Sequence, residues 1–242
     1  MRIEDIDFTR CRRGFEETIF EDLNWLGIRW ETPVRRQSEH LYDYRKAADQ
    51  LQMRGLLYPC FCTRQDIQKE IEAAGGAPHG SEGALYPGIC RTLTEDERKS
   101  RIASGESFAM RLNLNRALHE TSGNLEWIDV ARGAQKAQPE LLGDVVLVRK
   151  DIGCSYHLVV VVDDALQQVT RITRGEDLFE ATHIHRLLQA LLGLPTPEYH
   201  HHPLVCDSDG KRLAKRYQAE TLQSLRSRGV SSEELRKHLG FQ

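Results

Sequence analysis

The stretch YHLVVVVDD, residues 156–164, decides how the fold is read. Residues 158–162 are apolar at every position, and four of the five are valine. Valine is stiff at χ1 and packs well on a pleated surface. A short run without polar alternation predicts a strand buried on both faces, as in a parallel sheet covered by helices. Asp163 and Asp164 then stand at the carboxyl end of that strand, where open α/β sheets bind their ligands.

The segments around this run support an α/β reading. Residues 10–26 place Phe15, Ile19, Leu23 and Leu26 on one helical face, with Gly27 as the stop. A second helix is expected over 39–54, ending at Gly55. A third runs over 63–74, from a Thr63-x-x-Asp66 box to Gly75 and Gly76, and a fourth from a Thr94-x-x-Glu97 box to Gly105. Leu187, Leu188, Leu191 and Leu192 mark a helix over 180–192. SFAMRLNL (107–114), NLEWIDV (124–130) and DVVLVRK (144–150) read as strands, as do residues 2–7 and, more briefly, 28–30. APHGSEGALYPG (77–88) is a loop by composition.

A chain of 242 residues, 40% apolar and 29% charged, can bury a sizeable core. It contains no apolar run near the roughly 20 residues that span a bilayer. Its start lacks the basic-then-apolar pattern of a signal peptide, so the cytoplasm is the expected location. The net charge of −3 excludes a generally basic nucleic-acid wrapper. Basic residues nevertheless cluster at Arg10, Arg12 and Arg13, at Arg35 and Arg36, and at Lys211, Arg212, Lys215 and Arg216.

Three of the six cysteines share a neighbourhood: Cys60 and Cys62 in YPCFCTR, and Cys90 in YPGICR. A C-x-C pair with a third thiol after a Gly/Pro-rich loop points to zinc, and three sulfurs leave a tetrahedral ion one ligand short. His79, in the loop, and Tyr86, four residues before Cys90, are the candidates for the fourth place. Cys11, Cys154 and Cys206 read as ordinary small apolar residues. DGKRLAKR (209–216) makes a basic loop suited to a polyphosphate. Arg174 precedes a glycine in TRITRGEDL and is suited, on a turn, to gripping a carboxylate through two hydrogen bonds. His200, His201 and His202 are contiguous, and in regular structure they cannot all face one metal.

RIEDID (2–7), CFCTR (60–64), YPGICR (86–91), YHLVVVVDD (156–164), TRITRGEDLFEAT (170–182) and PEYHHHPL with DGKRLAKR (197–216) occur here in one order. In that order and spacing the chain resembles the class I glutamyl-tRNA synthetases. It is most similar to their short paralogous branch, the glutamyl-Q tRNA(Asp) synthetases. The resemblance implies a Rossmann-like doubly wound sheet, N-terminally incomplete, with a zinc-bearing insertion. The implied organisation is a first catalytic part over 1–58, the insertion over 59–140, a second catalytic part over 141–205, and a basic loop with a helical segment over 206–242.

The implied activity is ATP-dependent activation of glutamate, with magnesium, and transfer to queuosine at the wobble position of tRNA(Asp), by an expected monomer. Glu4 would hold the glutamate amino group, and Tyr156 and Arg174 match the other glutamate-binding positions. Arg212, Leu213, Ala214, Lys215 and Arg216 correspond to the KMSKS loop, with Lys215 as the ATP-contacting lysine. Cys60, Cys62, Tyr86 and Cys90 match the ligands of a structural zinc, so the resemblance selects Tyr86 over His79. In the family RIEDID follows a first strand, a HIGH-type signature and a helix. A chain beginning at Met1 is therefore expected to form the adenylate poorly. The other readings are a fragment of a discrete glutamyl-tRNA synthetase and a zinc-containing RNA-binding relative with impaired catalysis.

Overall fold

The computed structural model of the chain describes residues 1–9, 11–73, 79–80, 83–121, 124–204, 206 and 221–240. It divides into two compact units, one built from Met1–His40 and Leu204–Gln242, the other from Leu41–Pro203.

In the first unit, β1 (Arg2–Ile3) pairs in parallel with β2 (Arg35–Arg36). The strand expected over 2–7 is thus confined to its first residues. The Asp5 carboxylate accepts from the N–H and hydroxyl of Ser38 at 2.9 and 2.6 Å. Helix α1 (Arg13–Trp25) lies between the two strands in sequence. Gly27 ends it in the left-handed region at φ 73°, a conformation that costs glycine little. The Ile28 N–H turns back to the Leu23 carbonyl, and Trp30 stacks on Phe20, so 28–30 form no strand. Arg36 pairs with Glu16 of α1.

The second unit opens with α2 (Leu41–Met53), stopped by Gly55 at φ 68°, and continues through β3 (Leu57–Cys60) and α3 (Arg64–Ala73). Thr63 and Asp66 exchange hydrogen bonds at the start of α3, as their spacing predicts. A short antiparallel pair follows, β4 (His79–Gly80) with β5 (Gly83–Ala84). Then come α4 (Glu95–Ala103), with its complete Thr94–Glu97 capping box, β6 (Ala109–Leu112) and α5 (Leu114–Glu120). The remainder is β7 (Glu126–Asp129), β8 (Gly133–Lys136), β9 (Val146–Val148), α6 (Tyr156–Leu166), β10 (Arg171–Gly175), α7 (Ala181–Leu192) and β11 (Glu198–His202). Strands β3, β6 and β9 form one antiparallel sheet; β10, β11 and β7 run parallel in another, with β8 antiparallel at its edge. The chain returns to the first unit with α8 (Leu222–Ser227) and α9 (Ser232–His238), where Arg226 pairs with Glu21 and Asp22 of α1.

The α/β class is as expected, but YHLVVVVDD is a helix and not a strand. It forms α6, and every residue from His157 to Asp164 is buried. A helix apolar on all sides is stable only where other elements surround it, and α6 packs against α2, α7 and β9. Five apolar residues in a row look the same in a buried strand and a buried helix. Consequently Asp163 marks no strand end: its carboxylate accepts the buried Tyr44 hydroxyl of α2 at 2.9 and 3.0 Å. With this run removed from the strand inventory, the described strands form separate small sheets and no single doubly wound one. Among the described residues no helix is long and apolar enough to cross a membrane.

Candidate functional site

The second unit brings two sets of chemistry-bearing side chains together. The first set is the cysteine cluster. Cys60 ends β3, Cys62 follows two residues later, and Cys90 lies in a short 3-10 turn after Gly88, which is left-handed at φ 87°. The three sulfurs all lie within 4.8 Å of one another, with Cys62 and Cys90 3.4 Å apart. The Tyr86 oxygen stands 3.4 Å from Cys60 and 3.6 Å from Cys62, and accepts the Cys90 N–H at 2.8 Å.

A tetrahedral zinc with bonds of about 2.3 Å to sulfur sets its ligands roughly 3.7 Å apart, so this donor set fits one. Burial pushes the Cys62 thiol up to about 12 and raises the Tyr86 phenol. Burial acts the same way on Cys90, but N–H and side-chain hydrogen bonds outweigh it and hold that thiol below its ordinary value. A coordinated ion would supply the charge that keeps such groups deprotonated. The Arg111 guanidinium lies 3.9 Å from the centre of the Tyr86 ring, where a cation favours an electron-rich ring. The side chain of His79 lies outside the described residues.

The second set centres on Arg174. Arg174 is not on a turn, as its following glycine suggests, but on β10, directly opposite His201 of β11. Its NH1 donates toward the Tyr156 hydroxyl at 3.4 Å and toward His185 Nδ1 at 3.3 Å. Its Nε donates to His201 Nε2 at 3.1 Å, and its NH2 donates to the Thr182 hydroxyl. No carboxylate pairs with it among the described residues. His201 Nδ1 in turn meets the Asp129 carboxylate at 2.7 Å, with both groups buried. Burial works against the Asp129 carboxylate, but His201 and the N–H groups of Ala131 and Arg132 hold its pKa below the ordinary value. Burial lowers His201, and it lowers His185 well below the ordinary histidine value.

Tyr156 and Arg174 are therefore brought together as neighbours. Glu4 belongs to the first unit, where Arg2 pairs with it at 2.9 Å. Arg212, Leu213, Ala214, Lys215 and Arg216 lie outside the described residues. Sequence reasoning passed over His157, Thr182, His185 and Asp129. It also treated the histidine tract as a poor metal site without noticing its alternation. On β11, Tyr199 and His201 face inward while His200 and His202 are more exposed. A cleft of about 370 Å³ is lined by Tyr86, Arg111, Arg149 and Tyr156, and reaches the first set through Tyr86 and the second through Tyr156.

Residues 1–241 match the model of tRNA synthetases class I (E and Q), catalytic domain. The chain is 48% identical to the glutamyl-Q tRNA(Asp) synthetase of Rhodobacter capsulatus, over 100% of this chain and 87% of that protein. It is 41% identical to the glutamyl-Q tRNA(Asp) synthetase of Symbiobacterium thermophilum, over 100% of this chain and 75% of that protein. A glutamate–tRNA ligase of Aquifex aeolicus is 36% identical, with 99% of this chain and 49% of that protein covered. Among solved structures, the glutamate-tRNA synthetase of Elizabethkingia anophelis superposes with a TM-score of 0.73 at 27% identity, over 89% of this chain. The chain spans 45% of that structure's length.

Proposed function

The chain belongs to the class I tRNA synthetases of the glutamate and glutamine type, and from that premise we propose that it activates glutamate with ATP and transfers the glutamyl group to queuosine of tRNA(Asp). The glutamate carboxylate attacks the α-phosphate of ATP, giving glutamyl-adenylate and pyrophosphate. A queuosine hydroxyl then takes the glutamyl group and releases AMP. The relatives with the fullest coverage carry the name of this activity, which supports the choice of acceptor.

The observation that carries the reading is the setting of Arg174. It is a half-buried cation whose four side-chain hydrogen-bond partners are all neutral acceptors: Tyr156, His185, His201 and Thr182. A guanidinium oriented by neutral groups keeps its charge for an anion that arrives with the substrate, and a planar fork suits a carboxylate. Arg174 thus reads the glutamate side-chain carboxylate, with Tyr156 beside it. Glu4 holds the amino group. Arg212, Leu213, Ala214, Lys215 and Arg216 bind the ATP phosphates, Lys215 offsetting the charge that develops as pyrophosphate leaves. ATP acts with magnesium.

Cys60, Cys62, Tyr86 and Cys90 hold a zinc that is structural, because protein groups fill all four positions. Its work is to tie the loop ending at Cys90 to β3.

The test is ATP–pyrophosphate exchange with glutamate, followed by transfer of labelled glutamate to tRNA(Asp) with and without queuosine. Label on the anticodon nucleoside, and only when queuosine is present, is the expected result. Label on the 3′-terminal adenosine would instead make the chain a glutamyl-tRNA synthetase of the ordinary kind.

A further inference from the structure

Arg174 is the middle of a continuous hydrogen-bonded chain, and the proton on each imidazole in it is fixed by elimination. The Asp129 carboxylate accepts from the N–H groups of Ala131 and Arg132 at 2.9 and 3.0 Å. Being ionised it can only accept, so the His201 nitrogen facing it at 2.7 Å, Nδ1, carries a proton. Arginine can only donate, so the nitrogen facing Arg174 Nε at 3.1 Å, His201 Nε2, presents a lone pair. The same rule works on the other side. His185 Nδ1 faces Arg174 NH1 at 3.3 Å and must accept. His185 Nε2 then carries the proton and donates to His157 Nδ1 at 3.2 Å. Both His185 and His201 are almost fully buried.

We infer that His201 and His185 are positioning residues, which hold the Arg174 guanidinium in the orientation that receives the substrate carboxylate. Asp129 fixes the His201 tautomer from behind. The inference rests on the proposal that Arg174 reads the glutamate side chain. The arrangement copies, for a guanidinium, what carboxylate–histidine pairs do for metal ions: the outer carboxylate orients the imidazole, and the imidazole orients the cation. Placing the carboxylate one residue back matters. An aspartate directly on Arg174 would occupy the fork and cancel its charge. An interposed imidazole supplies direction and leaves the charge for the ligand.

The two histidines use opposite nitrogens toward Arg174, and this gives a test that a merely structural role would not pass. The oxygen of a glutamine amide falls near an imidazole Nε2, and that of an asparagine amide near Nδ1. The KM for glutamate, kcat in ATP–pyrophosphate exchange, and the melting temperature would be measured on the full chain for Asn and Gln variants at both positions, with Arg174→Ala as reference. His201→Gln and His185→Asn are expected to stay near the unaltered KM. His201→Asn and His185→Gln are expected to raise it about ten-fold or more, the cost of one lost hydrogen bond to a charged group, with kcat little changed. If a variant at one position does not fold, the pair at the other position carries the test.

Equal KM within each pair, while Arg174→Ala raises KM strongly, would overturn the inference and leave the role of Arg174 standing. An unchanged KM in Arg174→Ala would overturn the role of Arg174, and the positioning role with it.

Discussion

The guanidinium of Arg111 lies over the ring of Tyr86, 3.9 Å from its centre. Arg111 stands on β6 and is anchored to the Asp144 carbonyl at 2.7 Å. A fixed cation against the ring lowers the cost of ionising a buried phenol. Arg111→Met is therefore expected to weaken zinc retention while leaving the three cysteines in place. Metal content after dialysis against a graded chelator series checks this. Retention equal to that of the unaltered protein would remove Arg111 from the account.

Loss of a thiol is the stronger test of the proposed metal centre. Cys62→Ser is expected to purify with less than one zinc per chain and to melt earlier, because binding energy at a structural site is folding energy. Tyr86→Phe is expected to keep more metal than Cys62→Ser, since three sulfurs remain. Elemental analysis of protein prepared without chelator decides both. An unaltered chain free of zinc would rule the site out.

Arg174→Ala removes a half-buried charge from its proposed ligand, a loss of about 3–5 kcal/mol for a buried charged pair. Glutamate use, measured as kcat/KM in pyrophosphate exchange, is expected to drop by a factor of hundreds or more. Arg174→Lys is expected to recover little of it. A point charge on a flexible stem cannot satisfy Tyr156, His185, His201 and Thr182 together.

Tyr44→Phe leaves the buried Asp163 carboxylate without the hydroxyl that donates to it at 2.9 and 3.0 Å. Removing one partner from a buried acceptor costs about 1–3 kcal/mol. The melting temperature is expected to fall by several degrees, as read by calorimetry, with zinc content unchanged.

The histidines set the acid limit of stability. Burial first, then the nearby His157, Arg174 and His201, depress His185 well below the ordinary value of about 6.5. Burial lowers His183 and His201 in the same direction. Below about pH 6.5 the unfolded chain binds protons that the folded chain refuses, so stability is complete above that pH and falls as the pH drops toward the folded values. The urea midpoint is expected to be lower at about pH 5.5 than at about pH 7.5. The difference should shrink in His185→Gln. A midpoint independent of pH over that window would contradict the buried neutral histidines.

What the sequence made legible follows from locality. The capping boxes at Thr94 and Thr63 and the stops at Gly27 and Gly55 are local chemistry, and each lies where the residues imply. The cysteine cluster was legible because a C-x-C pair needs only a tight turn to converge. The run at 158–162 was misread because its period carries no information. Whether it is strand or helix is decided by α2 and α7, which surround it. The histidines around Arg174 were illegible for a related reason. Asp129, His185 and His201 come from β7, α7 and β11, and only the register of Arg174 against His201 brings them to one point. The alternation in EYHHH, with Tyr199 and His201 inward, was the available signal.

Tyr156 occupies the first turn of α6, the helix with no solvent-facing side between His157 and Asp164. A side chain rooted there inherits the immobility of the core. To shift its backbone would mean dragging a packed cylinder of valines with it, and a close-packed interior resists such deformation. Under the proposed reading of Tyr156, recognition at this point is of the rigid-template kind. The ordering entropy was spent during folding, so little remains to be lost when a ligand docks. In the proposed site the protein would therefore select its ligand by shape and charge already in place near Tyr156, and adaptation would fall to the ligand.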